Sequence, residues 1–233
     1  WASVAPELSR DHRVISLDLK GFGWTDRPAG DYSPTAQAKL VLALLDRQGV
    51  NRFAVVAHSW GSSVALALAR LAPKRVQRLA LYDAWVWQDQ LPGFFLWARY
   101  PLMGEALFGL FYDQRIADRI SLGFYDVRHV DQRFVDAIEA ALKRPGTRAA
   151  ALAATRDHGF AALEKSYGEV KQPTLLLWGR EDRVAMLRHG ERLARVLPAA
   201  RLRVYARCGH FPMIEAAAAS TVDLVAFLAE GAP

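Results

Sequence analysis

The sequence has one cysteine, no long apolar run and no cluster of basic side chains, and each absence excludes a class of protein. Cys208 alone cannot form an internal disulfide, so the chain is not a small disulfide-stabilised scaffold. No apolar stretch reaches the roughly eighteen residues of a membrane span. The net charge is +6, but Lys and Arg are spread along the chain, often beside acids, so no nucleic-acid partner is predicted.

Metal-binding spacings of His, Cys, Asp and Glu are also missing, so no metal and no cofactor is predicted. Without a disulfide framework or a recognisable signal peptide, a cytoplasmic location is favoured. What the chain does have is 233 residues, of which 52% are hydrophobic and 23% charged. This composition is typical of a globular protein, and the length predicts one α/β domain with an insertion.

A buried strand that passes at once into a helix is the most informative local pattern. Phe53 to Ala57 is a short apolar run with two valines, which predicts a buried parallel strand. Gly61 to Leu71 is rich in Ala and Leu, which predicts a helix. Only three residues separate the two elements, so the turn is tight. Ser59, in its middle, is expected to be exposed above the end of a sheet.

An exposed serine in this position has a chemical use. A serine hydroxyl is a poor nucleophile at neutral pH, so it needs a base nearby and N–H groups that receive the developing oxyanion. The N–H of Trp60, at the start of the predicted helix, is one such donor. The alternative is that Ser59 only caps the helix, which is an ordinary role for serine. An acid and a histidine later in the chain favour the nucleophile.

Two later strand ends offer these groups. Pro173 to Trp178 predicts a buried strand, and the polar loop after it contains Asp182. Arg201 to Tyr205 predicts another strand, and the turn after it contains His210. The order serine, acid, histidine is expected when the three residues lie at the tips of successive strands of an open parallel sheet. Asp83 also ends a predicted strand and is the rival acid, but the loop of Asp182 begins with glycine and is favoured.

These segments resemble the motifs of the α/β-hydrolase superfamily, in its capped branch of esterase-like serine hydrolases. Residues 57–61, Ala-His-Ser-Trp-Gly, are similar to the nucleophile elbow, with alanine in place of the usual first glycine. Gly179 to Asp182 resembles the acid loop, and Gly209 to Glu215 resembles the histidine loop. Asp18 to Pro28 resembles the loop that follows the strand before the elbow helix. The resemblance covers almost the whole chain.

The resemblance implies an α/β-hydrolase fold, in which a mostly parallel sheet is flanked by helices and covered by a helical cap. Residues 1–84 and 171–233 are expected to form the core, and residues 85–170 the cap insertion. In the insertion the strand pattern lapses, and segments such as Leu102 to Tyr112 and Gln132 to Leu142 have the apolar spacing of helices.

The start of the chain departs from the family pattern. His12 to Leu17 predicts a strand, but the family has a further central strand between it and the elbow strand. That central strand ends in a His-Gly loop with the second oxyanion N–H, and neither is in this sequence. Without it the neighbouring strands would expose unpaired backbone groups. We therefore expect the N-terminal strands to be missing from an incomplete copy of a protein about 25 to 50 residues longer.

Aromatic residues are concentrated at the start of the predicted cap. Residues 85–125 contain eleven of the 25 aromatic side chains in the chain. Such a cluster predicts an apolar pocket with few polar groups, and hence a hydrophobic or aromatic acyl substrate. The candidate substrate-binding residues are Trp85, Trp87, Phe94, Phe95, His158 and Phe211.

The predicted function is hydrolysis of a carboxylic ester, thioester or lactone through an acyl-enzyme. His210 would take the proton of Ser59, Asp182 would orient His210, and the Trp60 N–H would receive the oxyanion. A carbon–carbon bond hydrolase or a perhydrolase on the same triad is an alternative, because the sequence does not separate the leaving groups. A non-hydrolytic ligand-binding protein on this fold is the alternative from another class. In each case the expected partner is a small molecule, with no membrane partner.

Overall fold

Four parallel strands form the sheet of the computed structural model, which describes residues 1–112 and 116–230. They are β1 (Phe53–His58), β2 (Val76–Tyr82), β3 (Thr174–Gly179) and β4 (Ala200–Tyr205). Their order in the sheet is the order in the chain, and each pairs in parallel with the next. The carboxyl ends of all four strands therefore meet at one edge of the sheet, as the sequence predicts for Ser59, Asp182 and His210.

Helices cover both faces of this sheet. Among the described residues they are α1 (Ala5–Leu8), α2 (Pro34–Arg47), α3 (Gly61–Leu71), α4 (Gly93–Trp97), α5 (Met103–Phe111), α6 (Ile116–Leu122), α7 (Gln132–Leu142), α8 (Thr147–Arg156), α9 (Phe160–Leu163), α10 (Leu187–Val196), α11 (Pro212–Glu215) and α12 (Ala217–Ala229). Helices α4 to α9 fill the sequence between β2 and β3. The helices predicted at 102–112 and 132–142 are α5 and α7, while the boundaries of a separate cap stay a prediction. No helix in the described ranges is both long and apolar enough to cross a membrane.

The strand side chains alternate between two apolar clusters, one on each face of the sheet. Leu81 and Trp178 belong to the cluster that packs against α3 and α10. Tyr82 and Leu177 belong to the cluster that packs against α1 and α12. Both faces are thus buried, which explains why β2 and β3 are almost continuously apolar rather than alternating.

The strand predicted at His12 to Leu17 is wrong. Residues 13–19 have no regular secondary structure, and Val14 and Leu17 are exposed. A strand is held by ladder hydrogen bonds to a neighbour, and none of the four described strands pairs with this segment. The apolar pattern of this segment is therefore not enough to make it a strand. β1 forms one edge of the described sheet.

Packing against Trp178 makes one helical glycine necessary. A Cβ atom added to Gly190 in α10 would lie 2.6 Å from Cε3 of Trp178. The indole is fully buried and its N–H donates to the Ala185 carbonyl at 2.6 Å, so the ring has little freedom to move. We expect Gly190→Ala to lower the free energy of unfolding by about 1 to 3 kcal/mol, as measured by urea denaturation.

The matched control is Gly109→Ala in α5, where an added Cβ would have no neighbour within 4 Å. The same substitution should there raise stability by up to about 1 kcal/mol, because alanine favours helix more than glycine does. Equal effects of the two substitutions would contradict the packing argument.

Candidate active site

Ser59 occupies a strained turn between β1 and α3. Its φ is 52°, a region that residues with a side chain rarely adopt. Two backbone hydrogen bonds hold it there: its N–H donates to the Tyr82 carbonyl at 2.9 Å, and its carbonyl accepts from the Trp85 N–H at 3.1 Å. The turn places the Ser59 side chain beyond the end of β1. The N–H of the next residue, Trp60, lies at the N-terminus of α3, where helices leave backbone donors unused.

The structure brings together the three residues that the sequence nominates for catalysis. His210 Nε2 lies 2.9 Å from Ser59 Oγ, and His210 Nδ1 lies 2.8 Å from Asp182 Oδ2. Because the carboxylate can only accept, Nδ1 carries the proton and donates to Asp182, which leaves Nε2 free to accept from the serine hydroxyl. This arrangement has the geometry of a nucleophile, a base and an orienting acid.

The charge of Asp182 is maintained by its hydrogen bonds. Burial raises the pKa of this carboxyl, but the hydrogen bond and charge of His210, together with two backbone donors, outweigh burial and leave the pKa below its ordinary value. The backbone donors are the N–H groups of Val184 and Ala185, at 2.7 and 3.0 Å from Oδ1. Asp182 is therefore a buried carboxylate that stays ionised.

Asp83, the rival acid, has the opposite electrostatic character. Its Oδ1 accepts from the Gly179 N–H at 2.9 Å, whereas its Oδ2 has no partner among the described residues. Burial, and then the charge of Asp182, raise the pKa of Asp83 well above its ordinary value. Asp83 therefore favours the protonated form, and the hydrogen bond to His210 comes from Asp182 instead.

His58 supports the loop of His210, a contact that the sequence did not predict. Its Nε2 donates to the His210 carbonyl at 2.7 Å, and the two imidazole rings lie 4.6 Å apart. Burial, and then His210, lower the pKa of His58 to about 3, so its ring is neutral. The signal available in the sequence was its position directly before Ser59 at the end of a strand.

The helical insertion holds the His210 loop from the other side. The His210 N–H donates to the Gly123 carbonyl at 2.5 Å. The Glu215 carboxylate accepts from the N–H groups of Gly209, Tyr125 and Asp126, which ties the histidine loop to the segment after α6. His210 is thus fixed by contacts to both β1 and the insertion.

His58, Asp83 and His210 offer possible metal-ligand atoms within 4.8 Å of one another. Both ring nitrogens of His210 already engage Ser59 and Asp182, and Nε2 of His58 engages a carbonyl. A metal ion would have to break these bonds, so the donor set does not favour one.

A cavity of about 520 Å³ lies between the core and the insertion. Of the residues that the sequence nominates for substrate binding, Trp85, Phe94, Phe95 and His158 line it. The sequence did not nominate five further aromatic side chains of the wall for substrate binding, namely Phe22, Trp60, Phe108, Phe111 and Tyr112. The wall adjoins the nucleophile through Trp60, the next residue in the chain, and through Trp85, whose N–H binds the Ser59 carbonyl.

Trp87 and Phe211 do not line this cavity, which corrects the prediction. Trp87 is 2% exposed, because its indole N–H donates to the His189 carbonyl at 3.2 Å and its ring packs on Tyr167 within the core. Phe211 stacks on Phe124 with 4.6 Å between ring centroids. It fills the contact between the histidine loop and the insertion rather than the cavity.

Cys208 lies in the same loop as His210 but is fully buried. Burial raises the pKa of its thiol. It is therefore a packed residue with no thiolate character.

A parallel sheet with a strained serine at a strand-to-helix turn, bonded to a histidine and a buried carboxylate, defines the class of α/β hydrolases. The family model described as alpha/beta hydrolase fold matches residues 1–217. The chain belongs to the α/β-hydrolase family, and it is a hydrolytic enzyme.

Individual relatives are similar over almost the whole chain. The chain is 32% identical to a 2-hydroxy-6-oxo-2,4-heptadienoate hydrolase of Pseudomonas putida in an alignment of 226 positions that covers 92% of this chain and 78% of that protein. It is 32% identical over 239 residues to a 2-hydroxymuconate semialdehyde hydrolase of a Pseudomonas species, with 99% of this chain and 81% of that protein covered. Among solved structures, a meta-cleavage product hydrolase of Pseudomonas fluorescens matches with a TM-score of 0.83 and 25% identity, over 99% of this chain and 84% of that one.

The two buried carboxyl groups should respond differently to the same substitution. We expect Asp182→Asn to lower kcat by about 10³- to 10⁴-fold, because the amide cannot hold the His210 tautomer that accepts the serine proton. Asp83→Asn should stay within about tenfold of the wild type, because an amide resembles the protonated carboxyl in shape and charge. The rate at which a fluorophosphonate labels Ser59 reports the reactivity of the serine. It compares the two variants with the wild type and requires no known substrate. A larger loss in Asp83→Asn would reverse the assignment.

Asp83 should also make stability depend on pH. Its folded-state pKa lies above the ordinary value of 3.8, so the folded protein binds a proton that the unfolded chain has already released. Its contribution to stability therefore falls as the pH rises from about 4 towards the folded-state pKa. Asp83→Asn keeps the acceptor for Gly179 but cannot ionise, so its melting temperature should rise relative to the wild type between about pH 4 and 8. Asp136→Asn, at an exposed position in α7, is the control; parallel curves for all three proteins would exclude the effect.

Proposed function

We propose that this hydrolase cleaves an acyl bond through a covalent intermediate on Ser59, with His210 as base and Asp182 as the group that orients it. The observation that carries the proposal is the unbroken series of hydrogen bonds from Ser59 through His210 to Asp182, next to an aromatic cavity. A structural role would require neither the strained backbone at Ser59 nor a buried ionised carboxylate behind the histidine.

The chemistry follows from the distances. As Ser59 Oγ attacks the substrate carbonyl, its proton passes to His210 Nε2, and the carbonyl oxygen becomes an oxyanion that the Trp60 N–H can receive. Asp182 stabilises the charged imidazole that forms. The imidazolium then gives its proton to the leaving group as the bond to the acyl carbon breaks. Water, deprotonated by His210, releases the acid and restores Ser59.

The bond that we propose is a carbon–carbon bond next to a ketone, in a substrate of the 2-hydroxy-6-oxo-dienoate class. The support is that two relatives, each 32% identical over almost the whole chain, are a 2-hydroxy-6-oxo-2,4-heptadienoate hydrolase and a 2-hydroxymuconate semialdehyde hydrolase. The aromatic wall suits an apolar group on the ketone. Arg119, whose guanidinium is held by the carbonyls of Phe111 and Tyr112, adds a positive charge to the wall for the carboxylate of such a substrate.

Carboxylic esters are the second candidate substrates. The triad places a proton on His210 Nε2 at the point where a leaving group departs, and an alkoxide needs nothing more. A carbon leaving group must in addition take a proton on carbon. A thioester or lactone would use the same steps as an ester.

The first test is the intact mass of the protein after incubation with a fluorophosphonate. We expect a single adduct in the wild type and none in Ser59→Ala, because Ser59 is the only serine in the described ranges whose hydroxyl is bonded to a histidine. The matched control is Ser63→Ala in α3, whose hydroxyl donates to the Trp60 carbonyl at 2.7 Å, and which should still be labelled. An unlabelled wild type would favour a ligand-binding protein on this fold.

The second measurement compares two substrates with the same acyl group. A 2-hydroxy-6-oxo-dienoate with phenyl on C6 and p-nitrophenyl benzoate both deliver benzoyl to Ser59. We expect kcat/KM for the dienoate to be at least about tenfold higher, if binding of its carboxylate adds to transition-state stabilisation. The reverse order would favour the esterase, and equal loss of both in Ser59→Ala would show that one nucleophile serves both.

A further inference from the structure

Polar atoms without partners lie in the wall of the aromatic cavity. Both ring nitrogens of His158 are buried and have no hydrogen-bond partner among the described residues. The same holds for the indole N–H groups of Trp60 and Trp85. All three residues line the cavity.

Among the described residues, these atoms are available to a ligand in the cavity. A buried polar group that makes no hydrogen bond is costly to a folded protein, and proteins rarely leave several of them together. Thr155 shows the usual solution in the same wall, because its hydroxyl donates to the Ala151 carbonyl at 2.9 Å. Trp85 and His158 have no equivalent bond, and their ring centroids are 5.8 Å apart.

The surroundings of His158 determine which partner fits. Its ring stacks on Phe160 at 5.0 Å and lies 5.8 Å from Phe95, while Trp85 forms a third side. Burial, and then the charge of Arg99, lower the pKa of His158 to about 4. The imidazole is therefore neutral, with one donor and one acceptor nitrogen. A neutral imidazole among aromatic rings matches a neutral oxygen, which can accept from its N–H or donate to its other nitrogen.

We propose that Trp85 and His158 form a subsite for a neutral carbonyl or hydroxyl oxygen on the part of the substrate that fills the cavity. This subsite rests on the proposed function, because it treats the cavity as the place of the acyl substrate. Trp85 connects the subsite to the nucleophile, since its backbone N–H binds the Ser59 carbonyl while its ring lies beside His158.

Binding to Ser59→Ala tests the subsite without any turnover. The probes are ethyl hexanoate and ethyl 5-oxohexanoate, which differ by one ketone oxygen, and calorimetry gives their Kd values. We expect the ratio of the two Kd values to shift against the oxo ester by about three- to tenfold when His158→Phe is added, because one neutral hydrogen bond is lost while the ring stacking remains. Trp85→Phe, which removes the indole N–H together with one of the two fused rings, should shift the ratio in the same direction.

The matched control is Thr155→Val, which alters the same wall but removes a hydroxyl that is already bonded, and it should leave the ratio unchanged. An unchanged ratio in both His158→Phe and Trp85→Phe would overturn the subsite. A failure of the proposed function is distinguished from a failure of the subsite by the fluorophosphonate test, in which Ser59 of the wild type would stay unlabelled.

Discussion

The hydrogen bond between His210 and the buried carboxylate of Asp182 is the interaction on which the site depends. A charge in this position is stable only because Asp182 also accepts from the N–H groups of Val184 and Ala185. The bond fixes the proton on Nδ1 and aims Nε2 at Ser59 Oγ. The rest of the fold serves to hold three loops at one sheet edge, so that this line of bonds forms without rearrangement.

Environment, rather than residue type, separates the two aspartates at this edge. Asp182 and Asp83 both follow buried strands, and their side chains lie close enough for the charge of one to raise the pKa of the other. Asp182 faces a histidine and two backbone donors, while Asp83 faces one backbone donor and carries an oxygen without a partner among the described residues. One carboxyl therefore carries the charge, and the other favours its proton, since two adjacent buried charges of the same sign would be unstable.

The sequence predicts the features of the fold that depend on neighbouring residues in the chain. The four strands lie where apolar runs in the sequence predict them. The strand predicted at His12 to Leu17 was wrong because a strand exists only through its partner. Trp85 and Trp87 are two residues apart and the sequence does not distinguish them. The tertiary structure does: the Trp87 indole donates to a core carbonyl, whereas Trp85 lines the cavity. The role of His58 was missed for the same reason, because its partner is a carbonyl 152 positions away.

Trp85 connects the cavity wall to the turn that contains Ser59. Ser59 keeps its positive φ because the N–H and carbonyl on either side of it bind Tyr82 and Trp85, and Trp85 then continues into the wall beside His158. Trp85 therefore belongs to both features, since its backbone N–H binds the Ser59 carbonyl and its ring lines the cavity. A ligand that moved the Trp85 backbone would change a hydrogen bond at the strained turn, whereas one that turned only its ring would leave that bond in place.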